Sequence, residues 1–452
     1  MVELTEQNTT QQRLETLNTA LHSGTAEQVR QLLAGLHPAE IGDLLESLPH
    51  GPREILWELV DADDQGEALV AVNEEVRAGL IEGMETSKLV AIAGGLDTDD
   101  LADVLQDMPG AVIHELLRSM DKQNRHRLEA VLSFPEDSAG GLMDLDIVTV
   151  RGNVSLDVVL RYLRLRGEIP DLTDSLMVVD RFDHYQGVLP LATLLTSDPD
   201  SAVSAVMDHD VEGIQANMQD ADVARLFEDR DLVSAPVIDE NGKLLGRITI
   251  DDVVDVIRDE ADRSLMSMAG LDEDDDIFAP ATTSAQRRAV WLGINLGTAF
   301  LASWVIGLYE ATLQQVVALA VLMPIVASMG GIAGSQTLTI MIRGLALGQV
   351  CPTNARTLMI KEVLVSIMNV LMWAIVVALI ASVWFQNIKI GAIIAAALVI
   401  NLICAAVAGF SIPLALKRVG VDPALAGTVL LTTVTDVVGF MAFLGLGTWY
   451  LL

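Results

Sequence analysis

Cysteine is nearly absent: the 452 residues include only Cys351 and Cys404, both in the apolar half of the chain. That excludes a disulfide framework and a cysteine-based zinc site. Basic residues are scarce as well, 28 Lys and Arg against 62 Asp and Glu, for a net charge of −34. The shortage is local. Residues 281–452 hold 4 acidic and 8 basic residues, which leaves 58 acidic and 20 basic residues in 1–280. The first region therefore repels nucleic acid and anionic lipid heads, and it concentrates cations. The opening stretch, MVELTEQNTTQQRLETL, lacks a basic n-region and an apolar core, so no signal peptide is expected. No HExxH, GxSxG or paired-Asp motif occurs in the apolar runs. Intramembrane catalysis has no support, and the chain is expected not to be an enzyme.

From Ala289 onward, long apolar runs alternate with short polar breaks. A bilayer crossing needs about 20 residues. Five runs meet that length, near 289–309, 316–342, 361–385, 390–413 and 424–450. Arg287 and Arg288 precede the first, Arg356 and Lys361 separate the second and third, and Lys417 and Arg418 separate the fourth and fifth. The other side has only Lys389 near a run's end. The positive-inside rule then makes the N-terminal region cytoplasmic and the C-terminus extracytoplasmic, as expected for an inner or plasma membrane protein.

The second run, LMPIVASMGGIAGSQTLTIMIRG, is interrupted by Pro324, Gly330, Gly331 and Gly334 and carries Ser335 and Gln336. Small residues serve close helix packing. A broken, polar helix equally suits the wall of a watery path. The last run contains LLTTVTDVVGF, with Asp436 in its interior. A carboxylate at the bilayer centre costs about 2.5 kcal/mol or more and usually marks an ion path; a bond to a neighbouring helix is the structural alternative. Asp422 precedes Pro423, the pattern of an N-cap followed by proline at the first helical position.

Two internal repeats organise the acidic region. LHPAEIGDLLESLP (36–49) returns as LDTDDLADVLQDMP (96–109), each with apolar residues at helical spacing. Residues 1–135 are read as stacked short helices. LMD (142–144) returns as VMD (206–208), each followed by a β-like run, a helix and a strand–turn–strand–helix unit. The DENG turn between apolar runs is a hairpin signal. After Ile257 the chain begins as a helix and reaches an acidic run, Asp272 to Asp276, read as a solvated linker.

The tandem units resemble a pair of CBS domains, and the whole order resembles the MgtE family of magnesium channels. Three stretches carry the match: AGGLMD (139–144), MPIVASMGGIAGSQ (323–336) and RVGVDPALAGTVLLTTVTDVVGF (418–440). The fold class this implies is a multidomain membrane protein. Its parts are an α-helical superhelix (1–135), an α+β CBS pair (138–202 and 203–260), a connecting plug helix with linker (261–285) and a five-helix transmembrane domain (286–452). One position departs from the family pattern, since Ile332 follows Gly330–Gly331 where the family usually has asparagine.

The resemblance implies a homodimer in the lipid bilayer that takes up Mg²⁺ through a pore between the membrane regions. Asp436 would bind the ion, the backbone carbonyl of Thr432 would add an acceptor, and Asp422 would mark the inner mouth. Pro324, Gly330, Gly331, Ser335 and Gln336 would line the pore. It also implies that cytosolic Mg²⁺ on the acidic domains shuts the pore. The matching carboxylates are Asp99, Asp103, Asp231, Asp252, Asp255 and Glu260. One further family position falls on Gln219, for which Asp220 or Asp222 would substitute. CBS pairs commonly bind adenine nucleotides, though no decisive pocket is legible here. Hard oxygen ligands suit Mn²⁺ and Ca²⁺ as well as Mg²⁺, and no soft set selects Co²⁺. A membrane-anchored ligand sensor without conduction is the competing class.

Overall fold

The computed structural model describes residues 17, 19, 20 and 26–452, except 94, 97, 107, 109, 121, 272–275 and 352. At 98, 99, 103 and some further helical positions between 106 and 127, only the backbone is described. The chain forms two compact units, residues 1–261 with 274–279, and residues 262–273 with 280–452.

The first unit opens with short helices, among them Pro38–Glu46, His50–Trp57, Glu74–Glu82 and Thr98–Gln106. The 36–49 and 96–109 repeats supply the first and last of these. Each buries the stripe its spacing predicts, Ile41, Leu44 and Leu45 in one and Leu101, Val104 and Leu105 in the other. His37 caps Pro38–Glu46, its Nδ1 accepting from the Ala39 N–H while Glu40 returns a bond to the His37 N–H.

Two three-stranded sheets follow. The first contains β1 (Thr149–Arg151), β2 (Ser175–Val179) and β3 (Tyr185–Pro190). The second contains β4 (Ile214–Gln215), β5 (Ser234–Ile238) and β6 (Leu244–Thr249). In each, a parallel pair is followed by an antiparallel hairpin, and the register slips at the same place, Val178/Val179 and Val237/Ile238. The DENG turn closes the second hairpin with Gly242 at φ 79°. Its Asp239 carboxylate accepts from the Asn241 and Lys243 N–H groups, which hold it below the usual carboxylate range.

The LMD and VMD repeats exchange partners. Asp144 pairs with Arg247 of β6, whereas Asp208 pairs with Val188 of β3. Arg247 also meets the Asp144 carboxylate at 3.2 Å and donates to the Asp171 carbonyl at 2.8 Å. Each repeat thus completes the other's sheet. One repeat alone would leave that edge unpaired.

The last residue of the acidic run differs from its solvated reading. Residues 272–275 lie outside the described residues, but Asp276 is buried. Both its oxygens accept from the Arg53 guanidinium, at 2.7 and 3.0 Å, and its N–H donates to Glu75 at 2.6 Å. A buried guanidinium 223 residues away holds a segment whose local sequence looks solvated.

Among its described residues the second unit holds five helices long and apolar enough to cross a membrane: Ala281–Gly307, Val317–Ala346, Ala355–Trp384, Ile388–Arg418 and Pro423–Leu451. They are the first to fifth spans below. Over its apolar 18-residue stretch the fourth has 56% of its residues buried against 11% for the first and third, so it is the bundle's centre. Pro324 sits inside the second span without ending it. The second and fifth spans run antiparallel in tight register. Leu319 meets Gly447, Val326 meets Gly439, Gly334 meets Leu431 and Leu338 meets Gly427. Small residues let these backbones approach where lipid gives no hydrophobic drive.

Candidate functional site

That register fixes the depth of the last-span aspartate. Asp436 lies between the Gly439 and Leu431 contacts, so it comes level with Met329 and Gly330 of the second span. It is half-buried. Among the described residues its carboxylate has no hydrogen-bond or ion-pair partner, so the alternative of a bond to a neighbouring helix finds no support. An unpartnered carboxylate at such depth is expensive unless it meets water or a cation.

One face of the second span forms an open groove of about 800 Å³, lined by Ser328, Gly331, Ile332, Ser335, Gln336, Thr339 and Ile340. The spacing of these residues is that of one helical face. The side chains of Ser328, Ser335, Gln336 and Thr339 have no hydrogen-bond partner among the described residues. Polar groups in an apolar span normally bond to their neighbours; four in a row facing a groove suit hydration.

Pro324 falls on the same exposed face by spacing. Gly330 does not. It is buried, and a Cβ there would overlap the Asn401 amide of the fourth span. Its role here is close packing, while its neighbour Gly331 faces open space. Ile332, at 57% exposure, stands on the groove wall.

Asp422 is the N-cap of the fifth span, its carboxylate accepting from the Ala424 N–H at 2.8 Å with Pro423 next. The Thr432 hydroxyl turns back onto the Thr428 and Val429 carbonyls, and its own carbonyl accepts from the Thr435 hydroxyl at 3.1 Å. That carbonyl is therefore already engaged.

The other carboxylates are scattered. The side chains of Asp99 and Asp103, on Thr98–Gln106, lie outside the described residues. Asp231 is exposed, at φ 52° as the left-handed cap of the helix Asp220–Arg230, and Asp220 opens that helix. Asp222 pairs with Arg225 at 3.0 Å. Asp252 accepts from the Thr249 N–H and hydroxyl at the start of the helix Ile250–Ala269. Asp255 is exposed on that helix, with Glu260 further along. Among the described residues no three carboxylates, histidines or cysteines converge as a metal site.

Sequence reasoning missed Ser328, Thr339, Asn401 and Glu362. Ser328 lies seven residues before Ser335 and Thr339 four after it, so the helical period alone could have added both. Asn401 and Glu362 are polar residues inside apolar runs, the same signal that drew attention to Asp436. Glu362 is 5% exposed and reaches Lys361 at 3.4 Å.

The divalent cation transporter family MgtE matches residues 323–446, the MgtE intracellular N domain matches 36–137, and a CBS domain matches 203–259. The magnesium transporter MgtE of Thermus thermophilus is 31% identical over 95% of this chain and 96% of its own length. Its Bacillus subtilis namesake is 28% identical over 95% and 96%. A solved cytosolic domain of the Mg²⁺ channel MgtE in complex with ATP is 32% identical. It covers 54% of this chain and 99% of its own, with a TM-score of 0.49. With the matches running from the helical repeats through the sheets to the glycine-rich and aspartate-bearing spans, the chain belongs to the MgtE family of divalent cation transporters.

Proposed function

We propose that the protein carries Mg²⁺ across the membrane along a path walled by the second and fifth spans, in a homodimer whose two Asp436 carboxylates share that path. The observation that carries this reading is the unpartnered Asp436 carboxylate, held level with the glycine-rich turn of the second span. Two-fold symmetry would bring two carboxylates toward one axis. Mg²⁺ dehydrates reluctantly and keeps several waters, so carboxylates and groove hydroxyls would hold the hydrated ion through its water shell. The relatives named magnesium transporters favour this ion. Basic loops at Arg356–Lys361 and Lys417–Arg418 favour a cytoplasmic N-terminal region and an extracytoplasmic C-terminus.

The acidic region is inferred to sense cytosolic Mg²⁺ through its surface charge. No three-carboxylate cage forms among the described residues of one chain. Asp99, Asp103, Asp220, Asp231, Asp252, Asp255 and Glu260 are proposed as contributors to faces that pack once divalent ions neutralise them. The test of conduction is flux into liposomes holding the purified full chain. Mg²⁺ entry is expected, with Mn²⁺, Ca²⁺ and Co²⁺ as competitors; preference for one of these would favour that ion as the cargo. Asp436→Ala should abolish entry, and equal flux through that variant would overturn the reading.

A further inference from the structure

The fourth span crosses the bundle's centre with one buried asparagine that the ion path does not use. Asn401 is 0% exposed. Its Nδ2 donates to the Val326 carbonyl of the second span at 2.9 Å. Its Oδ1, also buried, has no hydrogen-bond partner among the described residues. The amide fits there because glycines flank it on two helices. A Cβ at Gly330 would overlap it, and a Cβ at Gly439 of the fifth span would lie 2.7 Å from Nδ2. Three spans therefore meet around one side chain.

The level of that junction matters. Gly330 adjoins Gly331, which lines the groove. Gly439 lies one helical turn beyond Asp436. A bulkier residue at 401 would push the second and fifth spans apart. An apolar one of similar size would fill the space but leave the Val326 carbonyl without its side-chain donor. We infer that Asn401 is a positioning residue for ion conduction, holding the turn that carries Asp436 in register with the groove-lining turn of the second span. This rests on the proposed Mg²⁺ path and names the device that aligns its two walls.

The test uses the full chain in liposomes with Mg²⁺ as the probe, flux being normalised to folded protein. Asn401→Leu should raise the KM for Mg²⁺ about tenfold, the scale of one lost hydrogen bond in a buried site. Gly330→Ala should fail to fold beside the amide. Gly330→Ala with Asn401→Ala, whose side chains share the vacated space, should fold while keeping the raised KM. Asn401→Asp keeps the shape, but only its protonated acid can donate to the Val326 carbonyl. Its flux relative to the unaltered protein at the same pH should fall as pH rises, a dependence that mere filling of space does not give. An unchanged KM in both Asn401→Leu and the double variant would overturn the inference. Absence of Mg²⁺ flux in the unaltered protein would instead overturn the reading on which it rests.

Discussion

The bond between Arg53 and Asp276 shows what single residues contribute to the acidic unit. Both side chains are under 10% exposed, at 6% and 8%, and the guanidinium also donates to the Leu45 carbonyl at 2.8 Å. Removing one partner of a buried pair strands the other charge, which costs about 3–5 kcal/mol. Arg53→Leu and Asp276→Leu are each expected to lower the unit's melting temperature strongly, and the double variant by less than either. Additive losses in a thermal-shift cycle would contradict a paired role. Protons act on the same unit through Glu46 and Asp144, whose carboxyls burial pushes up, against the pull of the Asn73 N–H on the first and of the Asp146 N–H and Arg247 on the second. The folded chain then keeps these protons to higher pH than the unfolded chain. Their contribution is full below the unfolded values of about 4 and is lost as pH rises through the raised ones. Stability should accordingly increase from neutral to mildly acid pH. Glu46→Gln, which can still accept from the Asn73 N–H, should flatten that slope in melts of the full chain.

At the scale of elements, what the sequence makes legible is period and length. The spans, the paired helical repeats and the two sheet units all follow from apolar spacing and turn residues. Helix faces within the membrane unit follow only where polar residues recur, as Ser328, Ser335, Gln336 and Thr339 do on the second span; the remaining sides are apolar, and there periodicity cannot separate lipid from protein contact. Gly330 and Gly331 are adjacent and chemically identical, yet one packs on Asn401 and the other opens onto the groove. Only the partner helices decide which is which, and the Arg53–Asp276 bond is hidden for the same reason. The two faces of the second span should therefore answer mutation differently. Ile332→Asn places an amide on the groove wall at a site already 57% exposed. It should leave folding intact and increase Mg²⁺ flux. Gly334→Ala puts a Cβ 2.8 Å from Leu431 on the packed face. It should lower thermal stability in detergent by roughly 1–3 kcal/mol. Equal tolerance of both changes would mean the faces are assigned wrongly.

Across the whole molecule the charge is divided so that one part carries nearly all the acid and the other crosses the membrane. With 58 acidic against 20 basic residues in 1–280, close approach of acidic faces is opposed at low ionic strength, and divalent ions relieve it more than monovalent ones at equal ionic strength. This differs from a preformed metal cage, which would respond to one or two ligand substitutions and hardly to bulk salt. Small-angle scattering of the full chain in nanodiscs separates the two. If surface charge governs compaction, millimolar Mg²⁺ should reduce the radius of gyration, Na⁺ at matched ionic strength should do so less, and single substitutions at Asp231, Asp252 or Asp255 should shift the midpoint only slightly. Neutralising several of them together should give the compact form without added Mg²⁺ and lower Mg²⁺ entry into liposomes. A radius that ignores Mg²⁺, or a response abolished by one substitution, would refute the distributed-charge account. The second outcome would point to a discrete site completed by groups outside one chain's described residues. Conduction through Asp436 would stand in either case, since its flux assay needs no compaction.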